Sequence, residues 1–224
     1  EYYNKSLAIF EIVLGIEHPN VATLYGNIAS ISLSQSCYSL AYEYSNKALV
    51  IDKKVLGTDH PNVAISYNFI GQVYFSQGNY PLALEYYNKS LAIFEKVLGS
   101  DHPYVATSYG YIGSIYNSQG NYPLALEYYN KALVIQEKAL GTDHPNVATS
   151  YNNIGLIYYA QGGYSLALEY HNKALVIREK VLGAEHPDVA TSYNNIGLIY
   201  YAQGDYSLAL EYFNKALVVF EKAF

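Results

Sequence analysis

The sequence predicts an all-α solenoid of antiparallel helix hairpins, and three observations carry that prediction. His-Pro recurs at His18, His60, His102, His144 and His186, each 42 residues after the last, with no insertion or deletion. Residues 144–182 laid over 186–224 differ at seven of 39 positions, among them His171/Phe213 and Arg178/Phe220. Within each interval the apolar residues recur every three or four positions in two separate runs, the period of an amphipathic helix. Self-similarity at this period marks stacked supersecondary units, each unable to bury its own apolar face alone.

The elements follow in chain order. Residues 1–17 read as an unpaired second helix of a preceding repeat, with Leu7, Ile9, Phe10 and Val13 apolar. Repeats then run over 18–59 (divergent), 60–101, 102–143, 144–185 and 186–224 (truncated), and together they form one solenoid domain. In the last copy, Val189, Tyr193, Ile196, Gly197 and Tyr200 share one face of a first helix from Pro187 to about Gln203. Gly204-Asp205-Tyr206 breaks it, and Leu208, Ala209, Tyr212, Phe213, Ala216, Leu217 and Phe220 mark the apolar face of a second helix. Pro19, Pro61, Pro103, Pro145 and Pro187 fit the first helical turn, where a missing N–H costs nothing. Gly15, Gly57, Gly99, Gly141 and Gly183 fit helix ends. Each second helix also has Glu four residues before Lys, as in Glu85/Lys89 and Glu211/Lys215, the favourable order for a surface pair.

The pattern Tyr193-x-x-Ile196-Gly197-x-x-Tyr200, then Ala209, Phe213 and Ala216, resembles the tetratricopeptide repeat signature. Tyr67, Ile70, Gly71, Tyr74, Ala83 and Tyr87 repeat it. The copy in 18–59 departs from it with Ala29, Ser32, Ser36 and Ser45, which predicts a looser turn and looser packing there. The period is longer than the usual 34 residues. The run Val181 to Ala190 is similar to the linker of kinesin light chains and related 42-residue proteins. That resemblance implies a right-handed superhelix whose first helices line a concave peptide-binding surface. Helix glycines such as Gly155 and Gly197 cost about 0.8–1 kcal/mol each against alanine and so need a close neighbour, expected at Ala167 and Ala209.

Composition narrows the function. Thirteen basic against 19 acidic residues give a net charge of −6, which argues against nucleic acid or an anionic membrane as the main partner. Cys37 is the single cysteine, so no intramolecular disulfide forms. No stretch approaches the roughly 18 apolar residues of a membrane span, and no signal peptide opens the chain. The absence of methionine reads as a segment cut from a longer chain; the expected location is cytoplasmic. Most of the 28 tyrosines fall at copied packing positions. The five regular histidines are expected to start helices, since histidines one hairpin apart, about 8–10 Å, cannot share an ion that needs ligands near 2 Å. His171 stands where other copies have an aromatic residue and is expected to pack there. No catalytic motif is present, and no catalytic, cofactor or metal residue is expected.

The distribution of charge points to a binding module. Val21 to Gln35, Val63 to Gln77, Val105 to Gln119, Val147 to Gln161 and Val189 to Gln203 contain no Asp, Glu, Lys or Arg. With the family geometry, these neutral first helices present a groove of Asn68, Gln72, Phe75, Thr107, Tyr111, Asn117, Thr149, Asn152, Asn153, Tyr159, Thr191, Asn194, Asn195 and Tyr201. Amides can pair with both groups of an extended peptide backbone, and aromatics can cover apolar side chains. The expected partner is therefore a protein or peptide segment. Lacking Lys and Arg there, the groove is not expected to clamp a terminal carboxylate. The alternative is a spacer that self-associates head-to-tail, or exchanges a terminal helix, through apolar ends that include Leu7, Phe10, Val219, Phe220 and Phe224.

Overall fold

The computed structural model describes residues 2–223, and the side chains of Leu7 and of residues 9–222. These residues form eleven α-helices and no strand. After α1 (Tyr2–Leu14), α2 (Pro19–Ser34) pairs with α3 (Tyr38–Leu56) and α4 (Pro61–Ser76) with α5 (Tyr80–Leu98); α6 (Pro103–Ser118) and α7 (Tyr122–Leu140) follow in chain order, and then α8 (Pro145–Ala160) pairs with α9 (Tyr164–Leu182) and α10 (Pro187–Ala202) with α11 (Tyr206–Ala223). The chain divides into two compact units, one up to Ile115 and one from Tyr116 onward.

The His-Pro histidines cap first helices. Nδ1 of His18, His60, His102, His144 and His186 accepts the backbone N–H two residues on, each at 3.1 Å. An imidazole nitrogen thus does what Ser or Asp usually does, satisfying a donor the helix leaves unpaired. Asn79, Asn121 and Asp205 cap second helices through their side-chain oxygens, at 3.3, 3.4 and 3.1 Å. Cys37 and Gly163 make no such bond. The tight turn needs a left-handed residue, supplied by Gly78 at φ 74° but by Ser36 at φ 59° in the divergent hairpin.

Packing inside the hairpin explains the helix glycines. A Cβ on Gly71 would meet Cε1 of Tyr87 at 2.6 Å, one on Gly155 would meet Nε2 of His171 at 2.9 Å, and one on Gly197 would meet Cε1 of Phe213 at 2.7 Å. The close neighbour is therefore chiefly an aromatic or imidazole ring laid against the glycine, and the alanine expected to fill that role contributes only its backbone at Gly197, where the Ala209 carbonyl lies 3.3 Å away. The divergent hairpin inverts the pairing, with Ala29 and Ser45 both buried. Bulk removed at one position is offset at the other.

Tyrosine and lysine cover the hairpin flanks. In the first unit Tyr74 stacks on Tyr86 at 5.6 Å and Lys89 Nζ lies 4.7 Å from the Tyr86 ring centre. In the second, Tyr158 stacks on Tyr170 at 5.5 Å, with Lys173 Nζ 5.0 Å from that ring. Consecutive hairpins are joined by a hydroxyl-to-carboxylate bond: Tyr25 donates to Glu11 at 2.7 Å, Tyr109 to Glu95 at 3.0 Å, and Tyr151 and Tyr193 to Glu137 and Glu179 at 2.5 Å. Burial, reinforced by Glu137, pushes the Tyr151 hydroxyl up to about 12.

Two expectations about the ends are corrected. Leu7 is 8% exposed in a cluster with Val21, Tyr25 and Ile28, and Phe10 packs against the same cluster. Val219 is 7% exposed against Ala190 and Ala216. The apolar residues left open include Ile9, Ile12, Val13 and Leu14 on α1, and Leu210, Leu217, Val218 and Phe220 on α11. Phe224 lies outside the described residues. The neutrality of the first helices also has one exception, since Asp188 falls within the first turn of α10. No helix among the described residues is long and apolar enough to cross a membrane.

Candidate functional site

In the unit up to Ile115, the first helices bound two adjacent slots. Between α2 and α4 lies a cavity of about 340 Å³, walled by Thr23, Asn27, Asn62, Ile65 and Phe69 and floored by Ala48 and Asp52 of α3. Between α4 and α6 lies one of about 230 Å³, with Asn68, Phe69 and Gln72 on one side, Tyr104, Thr107 and Tyr111 on the other, and Phe94 of α5 beneath. Ile65 and Phe69 border both. The slots form because each first helix meets the next over a shared second helix, whose inward side chain becomes the floor.

The expected groove residues Asn68, Gln72, Thr107 and Tyr111 are brought together around the second slot. Gln72 Nε2 donates to Tyr111 Oη at 2.8 Å, and the Tyr111 ring stacks on Tyr87 at 4.9 Å. Asn68 is buried and its Oδ1 has no hydrogen-bond partner. The Thr107 hydroxyl donates to the Pro103 carbonyl at 3.1 Å and keeps its acceptor capacity. Phe75 stands apart, tilted against Tyr80 at the start of α5.

In the unit from Tyr116 onward, Asn195 Nδ2 donates to Asn152 Oδ1 at 2.9 Å, tying α10 to α8. Asn153 is half-buried and Asn194 exposed. Thr149 and Thr191 hydroxyls donate to the carbonyls of Pro145 and Pro187. Tyr159 and Tyr201 lean on Tyr164 and Tyr206, so like Phe75 they sit at the turn end of their hairpins. Asn117 is half-buried near its turn, where its carbonyl accepts from Gly120 N–H at 2.9 Å. The larger cavities of this unit, about 460 and 530 Å³, lie along second helices and are lined by Lys173 and Glu169 or by Lys215 and Glu211. In both, the lysine is already paired with the glutamate four residues before it, at 2.7 and 2.6 Å.

The residues that sequence reasoning missed are those on the floor. Asp52, Phe94, Gln136 and Arg178 hold one repeat position, 42 residues apart, and all are buried. The serine hydroxyl 14 residues on answers the chemistry of each polar one. Ser66 donates to Asp52 Oδ2 at 3.0 Å, Ser150 to Gln136 Oε1 at 2.6 Å, and Arg178 donates to Ser192 Oγ at 2.7 Å and to the Asp188 carbonyl at 3.2 Å. Opposite Phe94, Ser108 turns back to its own helix and donates to the Tyr104 carbonyl. Burial raises the Asp52 carboxyl above its ordinary value, partly offset by Ser66, and lowers the Arg178 guanidinium. The available signal was variation: in near-identical copies, this position changes from acid to aromatic to amide to guanidinium.

No group of three or more His, Cys, Asp or Glu side chains among the described residues is arranged to hold a metal ion. Cys37 is exposed. The geometry defines a class, a hairpin-repeat protein with side-chain-sized slots between its first helices. The tetratricopeptide repeat family model matches residues 21–96, 66–133, 104–180 and 157–222, and the chain belongs to that family. Its fold is similar to BtubC (BKLC) from P. vanneervenii, at 21% identity and TM-score 0.80 over 99% of this chain and 87% of that one. It is also similar to a putative kinesin light chain with nearly identical TPR-like repeats from Podosopora anserina, at 25% identity and TM-score 0.72 over 92% and 98%. A third similar structure is the Rap conjugation gene regulator of plasmid pLS20 in complex with the Phr* peptide, at 16% identity and TM-score 0.73 over 90% of this chain and 53% of that one. No curated protein sequence matches the chain.

Proposed function

We propose that the chain is a non-enzymatic scaffold that holds a peptide segment of a protein partner against its first helices. The observation that supports this best is the slot between α4 and α6, where Asn68 Oδ1 lacks a partner and Gln72, Thr107 and Tyr111 converge on a cavity of side-chain size. Buried polar groups ordinarily find partners, and an unpaired amide oxygen beside aromatic walls suits an incoming backbone N–H. The Phr* complex of a protein with a similar fold supports the same reading. In the second unit the half-buried Asn153 and the Asn195–Asn152 pair would meet the backbone.

A peptide selected by phage display on the immobilised protein tests this. Gln72→Ala, and separately Asn153→Ala with Asn195→Ala, should weaken that peptide while leaving helicity unchanged by circular dichroism. Unchanged affinity in both variants would reject the placement. A second reading, self-association, rests on Ile12 at 85% exposed on α1 and on Leu217, Val218 and Phe220 of α11. Sedimentation should then show mass rising with concentration and falling for Ile12→Lys with Phe220→Lys; a constant monomer mass ends it.

A further inference from the structure

We propose that the first unit selects an extended peptide carrying a basic side chain, which enters the slot over Asp52, and a large apolar side chain about three residues away, which enters the slot over Phe94. This rests on the peptide-scaffold reading and deepens it by naming the ligand's chemistry.

Asp52 is 5% exposed, yet no ion pair neutralises it among the described residues. Its one side-chain bond is the Ser66 hydroxyl at 3.0 Å, whereas a carboxylate can accept about four. Packing does not require an acid there, because Phe94 fills the same repeat position and is buried. A buried, unpaired carboxylate costs stability, so its presence calls for a use outside the fold. The cavity above it is lined by hydroxyl, amide and apolar groups, and neither α2 nor α4 contains Lys or Arg to compete. His60 is the titratable group that bears on Asp52, and its Nδ1 is occupied in capping α4. Burial makes Asp52 hold a proton more tightly, and an arriving ammonium or guanidinium would supply the counter-charge that the fold does not.

The neighbouring slot has the opposite character. Phe94 packs against Tyr104 at 5.1 Å between ring centres, and Tyr111 closes the far side, leaving room for one leucine- or phenylalanine-sized group. The shared wall of Ile65 and Phe69 makes the two slots one continuous groove. They are one hairpin apart, about 8–10 Å, and an extended chain of the polyproline II kind rises about 3.1 Å per residue with three residues per turn, so side chains three residues apart share a face and reach both.

The probes are acetyl-Ser-Lys-Ala-Ser-Phe-Ala-Ser-amide, its reverse-order partner acetyl-Ser-Phe-Ala-Ser-Lys-Ala-Ser-amide, and analogues with norleucine for Lys or Ala for Phe. Amide NMR titration of the whole chain locates binding and gives Kd. One order of the lysine peptide should shift the Ile65, Ser66 and Thr107 amides and bind about tenfold or more tightly than its norleucine analogue, as expected for a charged hydrogen bond. Asp52→Asn should bring that ratio to about one, and alanine for Phe should weaken every peptide. Equal affinity for lysine and norleucine peptides in the native protein, with shifts at first-helix amides, would overturn the charge selection and leave the groove reading standing. No first-helix shift from any peptide would overturn this inference, and the groove reading too if the phage-selected peptide also ignores the Gln72 and Asn153/Asn195 substitutions.

Discussion

Acid should destabilise the unit from Tyr116 onward through His171 in particular. This side chain is 1% exposed, its ring lies against Gly155, and its Nδ1 has no partner. Burial first, and the nearby Arg178 second, bring its pKa from 6.5 down to about 4. The unfolded chain therefore takes up a proton near pH 6.5, whereas the folded chain resists one until about pH 4. Between those values the unfolded state binds more protons, so stability falls as pH falls, and no further loss from this group occurs below about 4. At about 1.4 kcal/mol per pKa unit, the loss amounts to about 3 kcal/mol, or roughly 6–12 °C in Tm for a protein of this size. The control is His171→Phe, since Phe213 stands at the corresponding position against Gly197. Urea unfolding of both proteins from pH 7 to pH 4 cancels the carboxylate titrations they share. The stability difference, variant minus native, should grow by about 3 kcal/mol over that range. A difference independent of pH, or a His171 NMR titration with its midpoint near 6.5, would refute the argument.

Asp52→Asn should raise Tm at pH 7. The folded-state pKa of Asp52 lies above its unfolded value, so its contribution to stability declines as pH rises through that window, and the variant's advantage should vanish below about pH 3.8. Ser36→Gly relieves a left-handed serine, a gain of about 1–2 kcal/mol, and Cys37→Asn adds the cap bond that Asn79 and Asn121 make, a gain of about 1 kcal/mol; thermal melts of the single and double variants check both. Gly71→Ala places a methyl 2.6 Å from Cε1 of Tyr87 and should destabilise the first unit by about 1–3 kcal/mol. Combining it with Tyr87→Ser, which recreates the Ala29/Ser45 pair, should cost less than the two changes summed, by about 0.5–3 kcal/mol in a double-mutant cycle.

Much of the fold was legible because its punctuation is local. A His-Pro that caps, a glycine that turns and a run of 3.6-residue period each act within a few residues, so the sequence states them directly. The helix faces at the ends were harder. Leu7, Ile9, Phe10 and Val13 all looked equally available, but a helix presents only one side to its neighbour: Leu7 and Phe10 meet α2, while Ile9 is left open although its counterpart Ile51 is buried. Neighbouring first helices, neutral in sequence, do meet through uncharged polar groups, as Gln72 meets Tyr111 and Asn152 meets Asn195. The turn-end aromatics Phe75, Tyr159 and Tyr201 each lean on a ring at the start of the next helix, a contact that no helical periodicity states. Asp52 and Arg178 gave no local signal of burial, since what covers them comes from the following hairpin.

The floor position shows how an array of near-copies can hold distinct buried side chains. Positions that set helix, turn and hairpin packing are coupled in pairs, as Gly71 is to Tyr87 and Ala29 is to Ser45, so a change at one is tolerated only with a change at the other. The floor residue is coupled mainly to a serine hydroxyl, and a hydroxyl can donate to Asp52 or Gln136, accept from Arg178, or fold back to a carbonyl opposite Phe94. That adaptability gives each polar floor residue a hydrogen-bond partner, although for Asp52 it only partly offsets the cost of burial. Substitutions there can alter the chemistry of a floor while leaving the cap, turn and glycine–ring contact of its hairpin in place, so the same 42-residue unit can be copied and still differ at that one position.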